Sequence, residues 1–162
     1  MLIEKIKKLA ENQKVMVFCD MDGVLVEYMT NQKQAIEQNV PNTFLNNRPL
    51  KHTISQIRKL RKIKNVELAI MSACWFNQQK QEKLEWLRKH ANFFKPENIH
   101  IIVYENEVFD KEKKYELKAK KILEIIKDKK FFPVLIEDNH SIIKQTNKVL
   151  ENCAVHVSEI IK

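Results

Sequence analysis

Glycine is nearly missing from this chain: Gly23 is the only one among 162 residues. Glycine takes positive φ at little cost and lets backbone approach a ligand closely, so a chain this poor in it marks Gly23 as a position of demanding geometry. Cysteine is scarce as well. Cys19, Cys74 and Cys153 are odd in number, and their spacings match neither a zinc site nor a disulfide framework. Each lies in or beside an apolar segment, so they are expected to be reduced, buried thiols. No apolar run approaches the roughly 20 residues that cross a bilayer, which excludes a membrane-spanning helix and a membrane partner. The first ten residues alternate charged and apolar side chains and lack the continuous apolar stretch of a signal peptide, so a cytoplasmic location is expected. No internal repeat or low-complexity linker interrupts the chain.

A hydrophobic content of 44% with 31% charged residues reads as an ordinary globular protein, and the length suits one domain spanning residues 1–162. The net charge of +8 raises nucleic acid or an anionic substrate as partners. Lysine spread through helical segments accounts for most of it, and no aromatic-interleaved basic motif accompanies it. A nucleic-acid partner is therefore left open but not favoured, while phosphate-bearing small molecules would be attracted in either case. Oligomeric state is not legible.

Leu2, Ile3, Ile6, Leu9 and Ala10 recur at helical spacing and predict an opening helix that ends near Gln13. Strands are predicted over 15–20, 66–71, 99–104, 132–136 and 154–157. Helices are predicted from Pro49 through Ile63, over 78–91, over 114–129 and over 141–150. Between the first strand and the second helix, a polar stretch holds a short helical candidate at 32–38, a break at Pro41, and Phe44 and Leu45 as anchors. Strands separated by helices imply parallel pairing, right-handed crossovers and helices on both sheet faces. The predicted class is α/β, a doubly wound three-layer parallel sheet of Rossmann-like type with a small insertion at about 27–50.

In such a sheet, ligands bind beyond the carboxyl ends of the strands where strand order reverses. Three of those ends carry chemistry: Asp20 and Asp22 after the first strand, Ser72 after the second, and Glu137 with Asp138 after the fourth. Acids forced together repel unless a cation sits between them, and an all-oxygen donor set suits Mg²⁺.

Asp20-Met21-Asp22-Gly23-Val24 resembles the first signature of the haloacid dehalogenase superfamily. Ser72 after Leu68-Ala69-Ile70-Met71 is similar to its second motif, a lysine near 114–121 to its third, and Glu137-Asp138-Asn139 to its acidic fourth. The motifs come in family order over nearly the whole chain. A second carboxylate two residues after the first resembles the phosphatase branch, which implies phosphoryl transfer through an aspartyl-phosphate. The resemblance implies that Asp20 is the nucleophile and Asp22 the general acid and base. Mg²⁺ would be bound by Asp20, the Asp22 carbonyl and Asp138, with Glu137 as a further ligand or a neighbouring acid. Ser72 and Ala73 would hold a phosphoryl oxygen, with Gly23 allowing close backbone approach to the phosphate. For the lysine, Lys114 is favoured over Lys118, both placed ahead of the helix body.

The short insertion, the Asp20–Leu25 opening and the helix containing residues 82–88 also resemble the 5′(3′)-deoxyribonucleotidase group, though Glu137 stands where that group has aspartate. The implied substrate is a small phosphorylated metabolite such as a (deoxy)nucleoside monophosphate. Alternatives are a phosphatase acting on nucleic-acid ends and a non-catalytic module that binds a phospholigand. Trp75 and Phe76 are read either as a stacking surface for a base or, with preference, as packing under the sheet edge. The five histidines show no metal-ligand spacing and are read as incidental.

Overall fold

The computed structural model describes residues 1–28, 43–104 and 111–161. In chain order it contains α1 (Leu2–Asn12), β1 (Lys14–Cys19), α2 (Lys51–Leu60), β2 (Val66–Cys74), α3 (Asn77–His90), a 3₁₀ turn (Pro96–Asn98), β3 (Ile99–Val103), α4 (Lys111–Ile126), β4 (Phe131–Glu137), α5 (His140–Val149), β5 (Ala154–His156) and α6 (Ser158–Ile161). The helical candidate at 32–38 and the break at Pro41 lie outside the described residues.

The five strands form one parallel sheet in the order β3-β2-β1-β4-β5. β1 is central and buried on both faces from Val15 to Cys19, as a parallel strand covered by helices on each side must be. Its side chains alternate between two cores. Val15, Val17 and Cys19 join Leu68, Ile70, Val134 and Ile136 against α1, α2 and Trp86 of α3. Met16 and Phe18 join Ala69, Met71 and Leu135 against Ile122 of α4 and Ile142 of α5. This two-residue period through three neighbouring strands is what makes the architecture a three-layer α/β sandwich of Rossmann-like form.

Several boundaries differ from those expected. β2 runs on through Cys74, so Ser72 lies inside the strand and not after it. α4 begins at Lys111, which places Lys114 and Lys118 within the helix body. Pro49 precedes α2 and bridges to Val26. Phe44 is fully buried and Leu45 packs on the core, as anchors should. The base of the insertion is closed by hydrogen bonds from Glu27 N–H to the Arg48 carbonyl (2.9 Å) and from Leu50 N–H to the Leu25 carbonyl (2.8 Å).

The turns explain the missing glycines. Asn65, Lys130 and Asn152 take φ of 66°, 51° and 57° in the turns leading into β2, β4 and β5, where glycine is commonest. Asparagine tolerates that region and lysine enters it at some cost, so the chain meets its left-handed turns without glycine at three places. Gly23, with φ of 71°, is the exception, and the reason lies in the site.

Candidate active site

The chain goes from β1 outward to β2 and β3, then returns to place β4 on the other side of β1. Strand order therefore reverses between β1 and β4. Cys19 pairs with Ile136, and the Asp20 N–H extends the ladder by donating to the Ile136 carbonyl at 3.0 Å. Asp20 and Glu137, 117 positions apart in the numbering, thus leave adjacent strands side by side.

Beyond Asp20 the chain turns sharply. The N–H groups of Val24, Leu25 and Val26 converge on the Met21 carbonyl at 3.2, 2.8 and 3.0 Å, and Gly23 N–H donates to Val26 O at 2.9 Å. Val24, Leu25 and Val26 are fully buried, which anchors the turn that carries Asp22. At Gly23 an added Cβ would run into the Asp138 carboxylate and come within 2.7 Å of Tyr28 Cε2. Positive φ alone is met elsewhere by asparagine or lysine. Here the side-chain space itself is taken, and Gly23, expected to admit phosphate, makes room for Asp138.

Oxygens of Asp20, Glu137 and Asp138 lie within 4.8 Å of one another. Lys118 Nζ joins two of the three, at 3.0 Å from Asp20 Oδ2 and 2.6 Å from Glu137 Oε2. Glu137 Oε1 accepts from the backbone N–H groups of Asp138 and Asn139, both at 3.1 Å. With its oxygens engaged in this way, Glu137 holds the lysine and the β4–α5 turn. Asn139 caps α5, its Oδ1 accepting from Ser141 N–H at 2.9 Å and Ile142 N–H at 3.3 Å. Tyr28, which no sequence motif pointed to, hydrogen-bonds to the Asp138 carboxylate.

Charge follows this geometry. Burial acts to raise the Asp20 carboxyl, but Lys118 and then Lys83 overcome it and hold Asp20 below the ordinary carboxylate range. Burial, joined by the charge of Asp20, pushes Glu137 up to about 8 against the pull of Lys118. Burial alone would lower Lys118, yet Asp20 and Glu137 hold it above its usual value. Four acids (Asp20, Asp22, Glu137 and Asp138) are gathered around two buried ammonium groups, with Lys118 on Asp20 and Glu137 and Lys83 on Asp22. Among the described residues, Asp20 Oδ1 and Asp138 Oδ1 are buried without a hydrogen-bond partner. Carboxylate oxygens of three residues gathered within 4.8 Å, two of them unpartnered and hard, fit a divalent cation such as Mg²⁺.

The sequence pointed first to Lys114, but the residue that meets the acids is Lys118, one helical turn farther along α4. Lys114 Nζ stands 4.1 Å from the Trp75 ring centroid and 5.0 Å from that of Tyr104. Ser72 is fully buried, and its Oγ accepts from Lys83 Nζ at 2.9 Å. Ala73 borders the cavity above the acids. That cavity, about 560 Å³, is walled by Trp75, Phe76, Tyr104 and Tyr115 over a floor of Asp20, Asp22 and the two buried lysines. Trp75 and Phe76 keep 46% and 43% of their surface exposed, so they form a wall and do not pack under the sheet edge.

Lys83, like Tyr28, is a site residue that sequence reading missed. It is 1% exposed and donates to Asp22 Oδ2 at 2.5 Å, Ser72 Oγ at 2.9 Å and the Ala73 carbonyl at 2.9 Å. A signal existed: Gln79, Glu82 and Lys83 continue the buried i, i+3, i+4, i+7 stripe that ends in Trp86 and Leu87. Polar residues on an otherwise buried face imply internal partners.

No protein-family profile and no curated protein sequence matches the chain. Among solved structures, it is similar to a protein of Burkholderia xenovorans LB400 described as a haloacid dehalogenase-like hydrolase. The TM-score is 0.55 at 10% identity, and the match covers 89% of this chain and 81% of that one. At that identity the likeness speaks for the fold alone, a five-stranded parallel α/β core of Rossmann-like form.

Proposed function

We propose that this protein is a Mg²⁺-dependent phosphomonoester hydrolase of haloacid dehalogenase type, working through an aspartyl-phosphate. The observation that carries the reading is Asp20: a buried carboxylate at the switch point, held below the ordinary range, with Oδ2 on Lys118, Oδ1 without a partner among the described residues, and a cavity lined by it.

An Asp20 oxygen attacks phosphorus, and the bond from phosphorus to the ester oxygen breaks. The departing alkoxide takes a proton from Asp22. Water then attacks the phosphorus of the aspartyl-phosphate and gives its proton to Asp22, releasing phosphate and restoring the Asp20 carboxylate. Splitting one hard displacement in two is the advantage of a covalent nucleophile. Lys118 opposes the charge that gathers on Asp20 and the phosphoryl group, the kind of preorganised electrostatic help on which phosphoryl transfer depends. Asp20, Asp138 and the Asp22 carbonyl would hold Mg²⁺, which when bound neutralises phosphoryl oxygens and helps orient the ester.

The aromatic wall supports a substrate with a planar ring beside its phosphate, such as a (deoxy)nucleoside monophosphate, because every base has a face that can stack. The test is turnover by purified protein with Mg²⁺ on nucleoside monophosphates, sugar phosphates and end-phosphorylated oligonucleotides. The expected result is hydrolysis of nucleoside monophosphates that stops on chelation and falls by roughly 10⁴-fold or more in Asp20→Asn, the scale of loss when a covalent nucleophile is removed. Activity that survives chelation, or that survives Asp20→Asn, overturns the mechanism. Preference for oligonucleotide ends replaces the substrate class.

A further inference from the structure

We propose that Lys83 is the positioning residue for the general acid, holding the Asp22 carboxylate so that one oxygen faces the reacting ester. This rests on the phosphomonoesterase reading above. An ammonium group has three protons, and Lys83 directs all three to fixed acceptors on two elements: Asp22 Oδ2 on the turn after β1, and Ser72 Oγ and the Ala73 carbonyl on β2. The other Asp22 oxygen, Oδ1, has no hydrogen-bond partner among the described residues, so no described contact competes for the proton it would give and take. Without Lys83, Asp22 could rotate about its side-chain bonds, and a donor displaced by about 1 Å loses on the order of a hundredfold in rate.

Lys83 is itself held. Its Nζ sits 4.9 Å from the Phe44 ring centroid. Its neighbour Glu82 accepts the Phe44 N–H at 2.8 Å, and Trp86 Nε1 donates to the Asn47 carbonyl at 3.0 Å. One earlier turn of the same helix face contributes Gln79, whose Oε1 accepts the Trp75 N–H at 2.9 Å. The buried stripe of α3 thus ties the returning end of the insertion to the acid. Lys118 has a different task, since its contacts are to the nucleophile and Glu137.

A mispositioned acid has a signature that a loosened fold lacks. Departure of a poor leaving group needs the proton, whereas departure of a nitrophenolate hardly does. kcat/KM, which reports events through loss of the leaving group, is measured for an alkyl phosphate and for 4-nitrophenyl phosphate in wild type, Asp22→Asn, Lys83→Met and Lys83→Gln. Lys83→Met is expected to lose roughly 10²-fold more on the alkyl ester than on the nitrophenyl ester, within the range that general acid catalysis supplies; any loss shared by both esters reports the charge Lys83 lends to Asp20. Lys83→Gln keeps a donor near β2 but is too short to reach Asp22, and carries the same test if Lys83→Met does not fold. Equal losses on both esters in the folded variant would overturn the positioning role while leaving the phosphatase reading intact. Absence of turnover of either ester by the wild type would instead remove the reading on which the role rests.

Discussion

Two buried lysines flank the Asp20 turn, and they differ in what they hold. Lys118, reaching in from α4 on the β4 side, bridges two carboxylates, Asp20 and Glu137, whose side chains are 8% and 0% exposed. Lys83, reaching in from α3 on the β2 side, holds one carboxylate that is 18% exposed and two neutral oxygens. A lysine between two desolvated anions acts mainly through charge. A lysine whose partners are one acid, one hydroxyl and one carbonyl acts mainly through place. In the proposed mechanism the nucleophile needs its charge kept and the proton donor its direction kept, so each member of the Asp20 and Asp22 pair would have the lysine suited to its task.

The difference has consequences for stability that substitution can break apart. Lys118→Met leaves Asp20 and Glu137 buried together without their cation, and removing one partner of a buried ion pair commonly costs about 3–5 kcal/mol. It also takes away the positive charge that steadies Asp20 and the phosphoryl group, for which a loss of roughly 10²- to 10³-fold in kcat is expected. Urea unfolding and steady-state kinetics on the same preparation check both. Lys83→Gln, by contrast, should cost only about 1–3 kcal/mol, the penalty for hydrogen-bonding groups left unsatisfied. If Lys83→Gln proves as destabilising as Lys118→Met, the division of labour between the two lysines is wrong.

Next in size is Gly23→Ala. A methyl group there strains a backbone at φ of 71° and pushes on the Asp138 carboxylate. Strain of this kind costs on the order of 1–3 kcal/mol. Displacing a metal-binding carboxylate should also raise the Mg²⁺ concentration for half-maximal activity about 10- to 100-fold, as outer-sphere changes around metal sites do. A Mg²⁺ titration of activity reads this directly. An unchanged half-activation point would mean that Asp138 is not a ligand, and that the two lysines answer to the carboxylates alone.

How much of this was legible depended on whether a residue announces its role locally. The layer order was, because each strand is a short apolar run between helical stripes and the hydrophobic period changes at each boundary. Asp20, Asp22, Asp138 and Gly23 stood out because acids and a lone glycine at strand ends are unusual neighbours. The lysines did not. Lys114 and Lys118 lie four residues apart on one helical face among other lysines, and only the crossing of α4 over β4 decides which of them reaches Asp20. Lys83 was hidden differently: its stripe shows burial, but its partners lie on β2 and on the turn after β1, and no local pattern states that contact. Ser72 was misread as the residue after β2 because the strand continues through Ala73 and Cys74, apolar enough to extend it yet short enough to look like a turn. Tyr28 carries no motif at all.

The smallest expected effect concerns the wall above the two lysines. Trp75 is half-exposed, meets Tyr104 edge to face with ring centroids 5.2 Å apart, and carries Lys114 over its ring. None of these contacts involves the four acids, so Trp75→Ala should leave the chemistry at Asp20 and Asp22 alone and weaken the grip on a ring. Base stacking on an aromatic side chain is worth about 1–3 kcal/mol. The expected result is a KM for a nucleoside monophosphate raised roughly 5- to 150-fold, the range those energies correspond to, with kcat nearly unchanged and glycerol phosphate, which has no ring, turned over as before. A parallel rise in KM for glycerol phosphate would show that the wall shapes the phosphate site itself. The floor and the wall would then be one device, and the contrast between the two lysines would have to be extended to Lys114.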